Sequence, residues 1–527
     1  MTDIQANYDI VIIGSGHNGL VAANYLSRAG HSVLVLEGNN ELGGATRSKQ
    51  VFSGQPARLS VYSYLVSLLP QKIIDDLGLK LSLRSRKTAS WTPSLENGQY
   101  RELLLRNNDP EQNRAAIEDL TGSSRDYDGY VQLQQLQEQL AAAVWPSFLE
   151  PLLSRSALRG HLGHAGTQAW QAFIEQPLGM ILEQLIDHDL LRGVLLTDAR
   201  IGLQTHAHDA SLLQNRCFLY HIVGNGTGEW RVPVGGMQSL VDQLIDGCRA
   251  TGRVNLLGGA PAQRLSLGEK VHSVAFQHED KEYEVEAKHV LCNASRQVLD
   301  DLLGRDSSYD PILEGTGFKI NMLLRRLPRL KESKHSAGEA FAGTVHIDEG
   351  YSHMQTCFEQ SDSGVMPAMP PGEIYCHTLT DDSILSDDLI AQGYHTITLF
   401  GLDMPYKLFV DDPEDSREEA VRRYLRGLNQ FLEEPIEECL AFDADGKPCL
   451  EAMSAYDLET KLRLPRGNIF HGDLSWPFAE SDAAVGTWGV ETEHRRVLLC
   501  GSAAARGGAV SGVPGHNAAM KVLEAKA

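Results

Sequence analysis

Residues 8–19 read YDIVIIGSGHNG, an apolar run that leads directly into a glycine-rich segment. The run is rich in β-branched residues and has the length of a buried strand. Gly14, Gly16 and Gly19 then give the spacing G-x-G-x-x-G. Because glycine makes up 49 of the 527 residues, this spacing carries little weight without a matching structural context.

The residues that follow provide that context by completing a β-α-β unit. Residues 20–29 have helical spacing and stop before Gly30, which fits the end of a helix. A second apolar strand, residues 32–36, then ends in Glu37. In such a unit the glycines let the backbone and the helix N-terminus approach a pyrophosphate, and the acidic residue accepts hydrogen bonds from the adenosine ribose. The sequence therefore predicts a dinucleotide-binding site.

A glycine pair, Gly43 and Gly44, indicates which dinucleotide is bound. It lets the chain pass close to the ribityl and pyrophosphate groups of FAD, where a larger side chain would clash, and an NAD dehydrogenase has no need of it. Within the phosphate loop, His17 and Asn18 are expected to cap the helix or to contact FAD, since Asn is a good N-cap. The predicted FAD contacts in this part of the chain are Gly14, Ser15, Gly16, His17, Asn18, Gly19, Glu37, Gly43, Gly44, Ala45 and Arg47.

Composition excludes several other classes of protein. The hydrophobic fraction of 42% and the charged fraction of 22% are ordinary for a globular protein, and 527 residues predict roughly two to four domains. The net charge of −22 disfavours docking to nucleic acid or to anionic lipid. The eight cysteines contain no Cys-x-x-Cys pair and are expected to be reduced core residues. With no signal-peptide pattern and no membrane-spanning apolar run, the sequence predicts a cytoplasmic protein.

Residues 12–23 and 42–45 resemble the phytoene-desaturase-related FAD oxidoreductases, in the subgroup named after pyridine nucleotide-disulfide oxidoreductase domains. VLLCGS at 497–502 and RGGAVSGVPGHNAA at 506–519 look like the family's strand, glycine-rich turn and last helix. The resemblance implies that both ends of the chain converge on one FAD, with the amides of the last helix facing the pyrimidine end of the flavin. It adds as expected contacts Ala262, Gly501, Ser502, Gly512 and Val513.

The sequence departs from the flavoprotein pattern in two places. Ala45 stands where many flavin amine oxidases have an arginine directly after the glycine pair, and Arg47 comes two residues later. Ser502 stands where many flavoproteins have an acidic residue. The redox disulfide in the subgroup's name is not expected, because no cysteines are suitably paired.

The resemblance also implies an α/β fold of the flavin amine oxidase and phytoene desaturase type, with two interleaved domains. A Rossmann-like FAD-binding domain is predicted at 1–90, 225–305 and 465–527, and an α+β substrate domain at 91–224 and 306–464. Residue patterns predict helices over 128–143, 178–191 and 235–252, and strands over 254–257, 271–276, 283–285, 290–292, 318–324 and 395–400.

Catalytic residues are less evident than the cofactor site. His221 precedes a glycine-rich loop and resembles a family position near the flavin, which makes it the candidate for proton transfer. Lys319 invites comparison with the flavin-contacting lysine of amine oxidases, but a surface lysine at a strand end is expected. His206 and His208 form a His-x-His pair without an evident third ligand, so no metal site is predicted.

The predicted activity is that of an FAD-dependent oxidoreductase that passes a hydride from a substrate carbon to flavin N5. The resemblance implies desaturation of a largely apolar, carotenoid- or polyene-like small molecule, with a quinone or O₂ reoxidising the flavin. A lipid-soluble substrate would require peripheral membrane contact. Three alternatives stay open: a flavin amine oxidase acting on a polar amine, a flavin-dependent saturase or isomerase, and an FAD-retaining interaction protein.

Overall fold

The structure, a computed structural model, describes residues 4–164, 166–305 and 314–524. Its first sheet contains the β-α-β unit that the sequence predicts. The strand order is Ala262–Ser266, His272–His278, Lys281–Cys292, Asn7–Ile13, Val33–Leu36 and Val254–Leu257, and Val497–Leu499 also pairs with Lys281–Cys292.

The centre of the first sheet is parallel, so its strands end at one edge. Ile13 pairs with Cys292 on one side and with Leu36 on the other, and Cys292 also pairs with Leu499. Segments from the start, the middle and the far part of the chain therefore bring their carboxyl ends together. In open α/β sheets this edge is where ligands bind.

Three helices cover the first sheet beside that edge: His17–Arg28, Gln238–Ala250 and Val513–Glu524. The last helix packs tightly on the first one at Gly515, where an added Cβ would lie 2.0 Å from the Asn18 carbonyl oxygen. Only glycine permits this approach. The C-terminal helix is thereby fixed against the predicted phosphate loop.

The second sheet has seven strands and is mostly antiparallel. Its one parallel pair joins Thr344–Ile347 to Thr88–Glu96. The strand order is Leu450–Met453, Phe318–Leu324, His395–Gly401, Gly372–Tyr375, Thr344–Ile347, Thr88–Glu96 and Gln99–Arg106.

Helices connect and flank the two sheets, and four short strands form two further ribbons. The helices are Gln71–Leu77, Pro110–Thr121, Ser124–Val144, Arg155–Leu162, Thr167–Trp170, Leu178–Leu185, Asp189–Leu196, Leu213–Ile222, Arg296–Leu302, Ala337–Ala340, Tyr351–Asp362, Asp387–Ala391, Pro413–Asn429 and Ala455–Leu462. The short strands are Ser48–Gln50 with Arg58–Ser60, and Leu83–Arg84 with Val232–Pro233.

The predicted α/β fold class is confirmed, with two local corrections. Residues 283–285 and 290–292 belong to one strand, Lys281–Cys292, because its first half pairs with one neighbour and its second half with another on the same side. The helix predicted over 178–191 is two helices. The chain extends at Ile186, and the Asp126 carboxylate accepts hydrogen bonds from the next two backbone amides.

The predicted domain bounds stay a prediction, although both sheets draw their strands from several parts of the chain. Thr88–Glu96 belongs to the second sheet and crosses the predicted boundary at residue 90. Residues 306–313, at the start of a predicted substrate-domain segment, lie outside the described residues, as do the first and last three residues of the chain.

All eight cysteines lie buried, as expected for core residues. Burial raises the pKa of the Cys376 thiol to about 12 and that of Cys292 to about 11, so both thiols stay protonated near neutral pH. Among the described residues, no helix combines the length and the apolar character needed to cross a bilayer.

Candidate active site

A cavity of about 710 Å³ runs from the carboxyl edge of the first sheet to one face of the second sheet. We call its two parts the nucleotide end and the second-sheet end. The nucleotide end is lined by Gly14, Gly16, His17, Asn18, Glu37, Ala262 and Ser502 among others. The second-sheet end is lined by Arg86, Asp198, Thr344, His346, Glu373 and Tyr375 among others.

The glycines of the phosphate loop hold the first helix against the first strand. The Gly14 amide donates to Leu36 O at 2.7 Å, and Gly14 has a φ of +97°, which favours glycine. At Gly19 an added Cβ would lie 2.5 Å from Gly14 O. The unpaired amides of the helix N-terminus are thus kept at the cavity, where they can bind an anion.

His17 and Asn18 do not cap this helix, contrary to one of the two roles predicted for them. The N-cap is Gly16, and no side chain caps the helix, which begins at His17 itself. The His17 Nδ1 atom lies 3.0 Å from Thr46 Oγ1. His17 Nε2 and Asn18 Oδ1 are buried without a hydrogen-bond partner, although both residues line the cavity. Burial lowers the pKa of His17 to about 4, so its imidazole is neutral.

Glu37 is held at the edge of the first sheet by Ser15. Its Oε2 atom accepts from the Ser15 amide at 3.0 Å and from the Ser15 hydroxyl at 2.7 Å, while Oε1 accepts from the Asn39 amide at 3.0 Å. The Ser15 hydroxyl in turn accepts from the Gly43 amide at 3.1 Å. Oε1 also accepts from Asn39 Nδ2 at 3.3 Å, the longest of these four hydrogen bonds. Because a carboxylate accepts about four hydrogen bonds, a ligand hydroxyl would bind Glu37 by replacing this long one.

The structure brings most of the predicted contacts to the cavity. Its lining includes Gly14, Gly16, His17, Asn18, Glu37, Gly44, Ala45, Ala262, Ser502 and His221. The other predicted contacts are not lining residues: Ser15, Gly19, Gly43, Arg47, Gly501, Gly512 and Val513. Of these, Arg47 donates to Glu41 O at 3.0 Å, and Val513 is fully buried. Ala509 and Val510 line the cavity near the last helix instead. Direct contacts of these seven residues with a cofactor stay a prediction.

The nucleotide end fits an FAD. It supplies a glycine cradle, a helix N-terminus for the pyrophosphate, an acidic residue for the ribose, and two buried polar atoms without partners. Residues 19–441 match the family model described as flavin-containing amine oxidoreductase. The chain belongs to this family. It is an FAD-dependent oxidoreductase, and the predicted cofactor and enzyme class are confirmed.

Full-length relatives support the family assignment. This oxidoreductase is 42% identical to an uncharacterized protein of Mycobacterium tuberculosis, over 99% of this chain and 98% of the relative. It is 28% identical to the pyridine nucleotide-disulfide oxidoreductase domain-containing protein 2 of Mus musculus, over 99% and 94% of the two chains, which confirms the predicted resemblance. A putrescine oxidase structure shares the fold, with a TM-score of 0.56 and 17% identity over 98% of this chain and 99% of that one.

A patch of polar side chains on the second sheet forms the floor of the cavity. Thr344 pairs with Tyr375, and His346 pairs with Glu373, on neighbouring antiparallel strands. Side chains two residues apart on a strand share a face, so all four point to the same side. Val345, which follows Thr344, and Ile374, which follows Glu373, point to the other side of the sheet and are fully buried.

Arg86 and Asp198 add opposite charges to this end of the cavity. Arg86 Nη1 donates to Thr344 Oγ1 at 3.0 Å, and its Nε atom is buried without a partner. Asp198 lies in the short turn Thr197–Ala199. Both side chains are half-buried, and within the described ranges neither has an ion-pair partner within 4 Å. Asp198 and Glu373 nevertheless lie near enough to Arg86 to act on its pKa. Burial lowers the pKa of Arg86.

Lys319 is buried rather than at the surface, which corrects the prediction for this residue. It is 1% exposed, and its Nζ donates to Ser60 O at 2.7 Å and to Tyr62 O at 3.0 Å. The Nζ atom also lies 5.8 Å and 5.7 Å from the ring centroids of Tyr62 and Tyr64, which both line the cavity. Burial lowers the pKa of Lys319 to about 7.

The predicted histidines have separate surroundings. His221 lines the cavity and donates through Nδ1 to Cys217 O at 2.8 Å, so its Nε2 atom is left as an acceptor. His208 contacts Glu183 at 2.7 Å, and the ring of His206 packs on Phe358. In the described part of the chain, no group of three or more His, Cys, Asp or Glu side chains could hold a metal ion.

Sequence reasoning did not identify the polar patch, Arg86 or Asp198. One signal for the patch was present, because TVHI at 344–347 and EIY at 373–375 alternate polar and apolar residues. Such alternation is typical of a strand with one polar face. No comparable signal marks Arg86 or Asp198, which reach the cavity only through the tertiary fold.

Proposed function

We propose that this oxidoreductase oxidises the carbon next to an amine, in a small substrate that carries both an ammonium and an anionic group, as amino acids do. The observation that carries the proposal is the pair Arg86 and Asp198. Both charged side chains line the second-sheet end of the cavity, and neither has an ion-pair partner within 4 Å among the described residues. A ligand with both charges would supply the two missing partners.

The chemistry of these side chains sets the orientation of the substrate. Arginine presents planar donors that match a carboxylate, and a carboxylate such as that of Asp198 accepts from an ammonium. The rings of Tyr64 and Tyr375, whose centroids are 4.6 Å apart, give an aromatic wall suited to a cation. Each charge of the substrate is thereby bound by a separate group, which fixes the carbon between them.

When bound, FAD supplies the two-electron acceptor at its N5 atom. Leu65, Leu68 and Leu105 line the cavity and make part of its wall apolar, which reduces the number of water molecules around the reacting carbon. The Nε2 atom of His221 can accept a hydrogen bond from the substrate, and we propose that His221 takes part in proton transfer through this atom. The name of the family and the putrescine bound to the related oxidase also support an amine.

Desaturation of an apolar, polyene-like substrate is the second candidate. The apolar wall, which also includes Val194, Leu195 and Ile201, favours it. A hydrocarbon would leave Arg86 and Asp198 desolvated and unpaired, which costs several kcal/mol, roughly 2–7 per polar group. For this reason the charged substrate is preferred. We further propose that a quinone or O₂ reoxidises the flavin and that the protein is cytoplasmic. Its binding partner in this proposal is a small molecule and not nucleic acid.

Anaerobic bleaching of the flavin tests the proposed function. Holoenzyme is mixed with L-leucine and other amino acids, with benzylamine, and with a polyene hydrocarbon in detergent micelles. We expect the flavin absorbance to fall fastest with an amino acid, more slowly with benzylamine and not at all with the polyene. Bleaching by the polyene alone would overturn the proposal in favour of the second candidate.

A further inference from the structure

Three ionisable side chains form a buried row beside the second-sheet end of the cavity. His346 Nδ1 lies 2.6 Å from Glu349 Oε2 and 4.0 Å from Glu373 Oε1. Glu349, Glu373 and His346 are 1%, 2% and 6% exposed. Of the three, His346 and Glu373 line the cavity and Glu349 does not. The row therefore leads from the protein interior to the place where a substrate binds.

Hydrogen bonds hold the two carboxylates in place. Glu349 Oε2 accepts from Thr197 Oγ1 at 2.5 Å, and Glu373 Oε2 accepts from the Tyr375 hydroxyl at 2.5 Å. Glu349 Oε1 is buried without a partner, so the row is not fully satisfied by the fold. Buried ionic groups contribute little to stability compared with well-packed apolar residues. An incompletely paired row at a cavity is more typical of a site where protons move.

We propose that Glu373 accepts the proton that the substrate ammonium releases, and that His346 and Glu349 are positioning residues that control this proton. The inference rests on the proposed function, because it needs a substrate that carries an ammonium. Glu373 lines the cavity, and its cross-strand partner His346 separates it from Glu349. His346 is therefore placed to balance the charge of either carboxylate.

The proton step balances without a redox partner. One N–H bond of the ammonium breaks, its electron pair stays on nitrogen, and an O–H bond forms on the Glu373 carboxylate. The neutral amine can then lose the electrons of its neighbouring C–H bond, which an ammonium resists. Glu373 returns the proton to solvent before the next turnover.

The charges around Glu373 set the direction of its pKa. Burial raises it, the cationic His346 lowers it, and the two nearby carboxylates raise it, so that the pKa lies well above the ordinary value for Glu. Burial also acts on His346, but the neighbouring carboxylates outweigh it and raise the pKa of the imidazole. The groups that act on Glu373 are His346, Glu349, Asp198, Tyr64, Tyr375, Arg86 and Cys217.

Infrared spectroscopy of the holoenzyme tests the protonation without any substrate. We expect a protonated-carboxyl band at neutral pH that disappears in Glu373→Gln. In His346→Gln the band should persist to higher pH, because removal of the neighbouring cation raises the pKa of Glu373. Glu102→Gln is the matched control, since Glu102 is a half-buried carboxylate of the same sheet that does not line the cavity. It should leave the band unchanged.

Steady-state kinetics with L-leucine and benzylamine test the catalytic role. Since only the ionised Glu373 accepts a proton, kcat/KM should rise with pH through its pKa. In His346→Gln the rise should move to higher pH by one unit or more. Glu373→Gln should lower kcat/KM by roughly 10²–10⁴-fold, as for loss of an acid–base group. Glu373→Asp, which keeps a carboxyl, should recover part of this loss and gives a second variant if Glu373→Gln does not fold.

The outcomes separate the two proposals. If neither amine bleaches the flavin but the infrared band follows Glu373 and His346, the proposed function fails and the protonation of the row stands. If amines are oxidised while the band is insensitive to Glu373→Gln, or the pH profile is unmoved in His346→Gln, the inference about Glu373 is overturned.

Discussion

Replacement of Arg86 by methionine should stabilise the protein and weaken substrate binding at the same time. In the structure Arg86 is half-buried, its guanidinium makes one hydrogen bond to Thr344 and lies 5.8 Å from the ring centroid of Tyr375, and its buried Nε atom has no hydrogen-bond partner. Removing an unsatisfied buried donor gains about 1–3 kcal/mol, and losing one hydrogen bond costs about 0.5–1.5 kcal/mol. Together these values give a change in the free energy of unfolding of about −0.5 to +2.5 kcal/mol in Arg86→Met, centred on a gain of about 1 kcal/mol.

The same change should raise KM for substrates with a carboxylate. Truncating one partner of a buried, hydrogen-bonded charge pair costs about 2–5 kcal/mol, which corresponds to roughly 30-fold to several thousand-fold in affinity. An amine without a carboxylate, such as benzylamine, makes no such pair and should bind as before. Arg86→Lys should give an intermediate KM, because it keeps the charge without the planar pair of donors.

Urea unfolding of the holoenzyme, followed by flavin fluorescence, measures the change in the free energy of unfolding. KM for L-leucine and for benzylamine measures the change in substrate binding. Arg249→Met is the matched control, because Arg249 is exposed, pairs with the exposed Asp246 and does not line the cavity. It should change neither quantity. A lower unfolding midpoint in Arg86→Met, or equal changes of KM for the two substrates, would refute this reasoning.

Three further predictions concern the cofactor site and Lys319. Gly19→Ala places a Cβ 2.5 Å from Gly14 O and should lower the flavin-to-protein absorbance ratio, whereas Gly160→Ala, with open space around its Cβ, should not. Glu37→Gln should weaken FAD binding roughly 10-fold or more in fluorescence titration, since hydrogen bonds to a charged group are lost. Lys319→Met should raise the free energy of unfolding above that of the wild type, and this gain should be largest below pH 7. Above pH 7 the gain should shrink by up to about 1.4 kcal/mol per pH unit. The sign follows because the folded protein buries a neutral lysine above pH 7 while the unfolded chain still binds the proton; a pH-independent difference in urea melts would contradict it.

The nucleotide end could be predicted from the sequence because its chemistry depends on local spacing. Gly14, Gly16 and Glu37 lie within one β-α-β unit, and their positions follow from the geometry of that unit. The helix-capping role of Asn18 was wrong because a glycine already occupies the N-cap and the side chain turns into the protein interior.

The second-sheet end could not be predicted, because it depends on contacts between distant segments. Arg86, Asp198 and Glu373 come from three regions of the chain and meet only through the register of the second sheet and the turn beside it. The burial of Lys319 could not be predicted for the same reason. Nothing in its own strand shows that Ser60 and Tyr62 will offer their carbonyl groups to its ammonium.

The late position of Val497–Leu499 in a sheet that begins at Asn7 has a consequence for synthesis. A growing chain on the ribosome has the glycine loop long before it has one wall of the compartment, which Ser502, Ala509 and Val510 provide. We therefore expect stable loading of the coenzyme only after these later residues have been made. Until then the first helix lacks the neighbour that packs on it at Gly515, and its apolar side stays open to water.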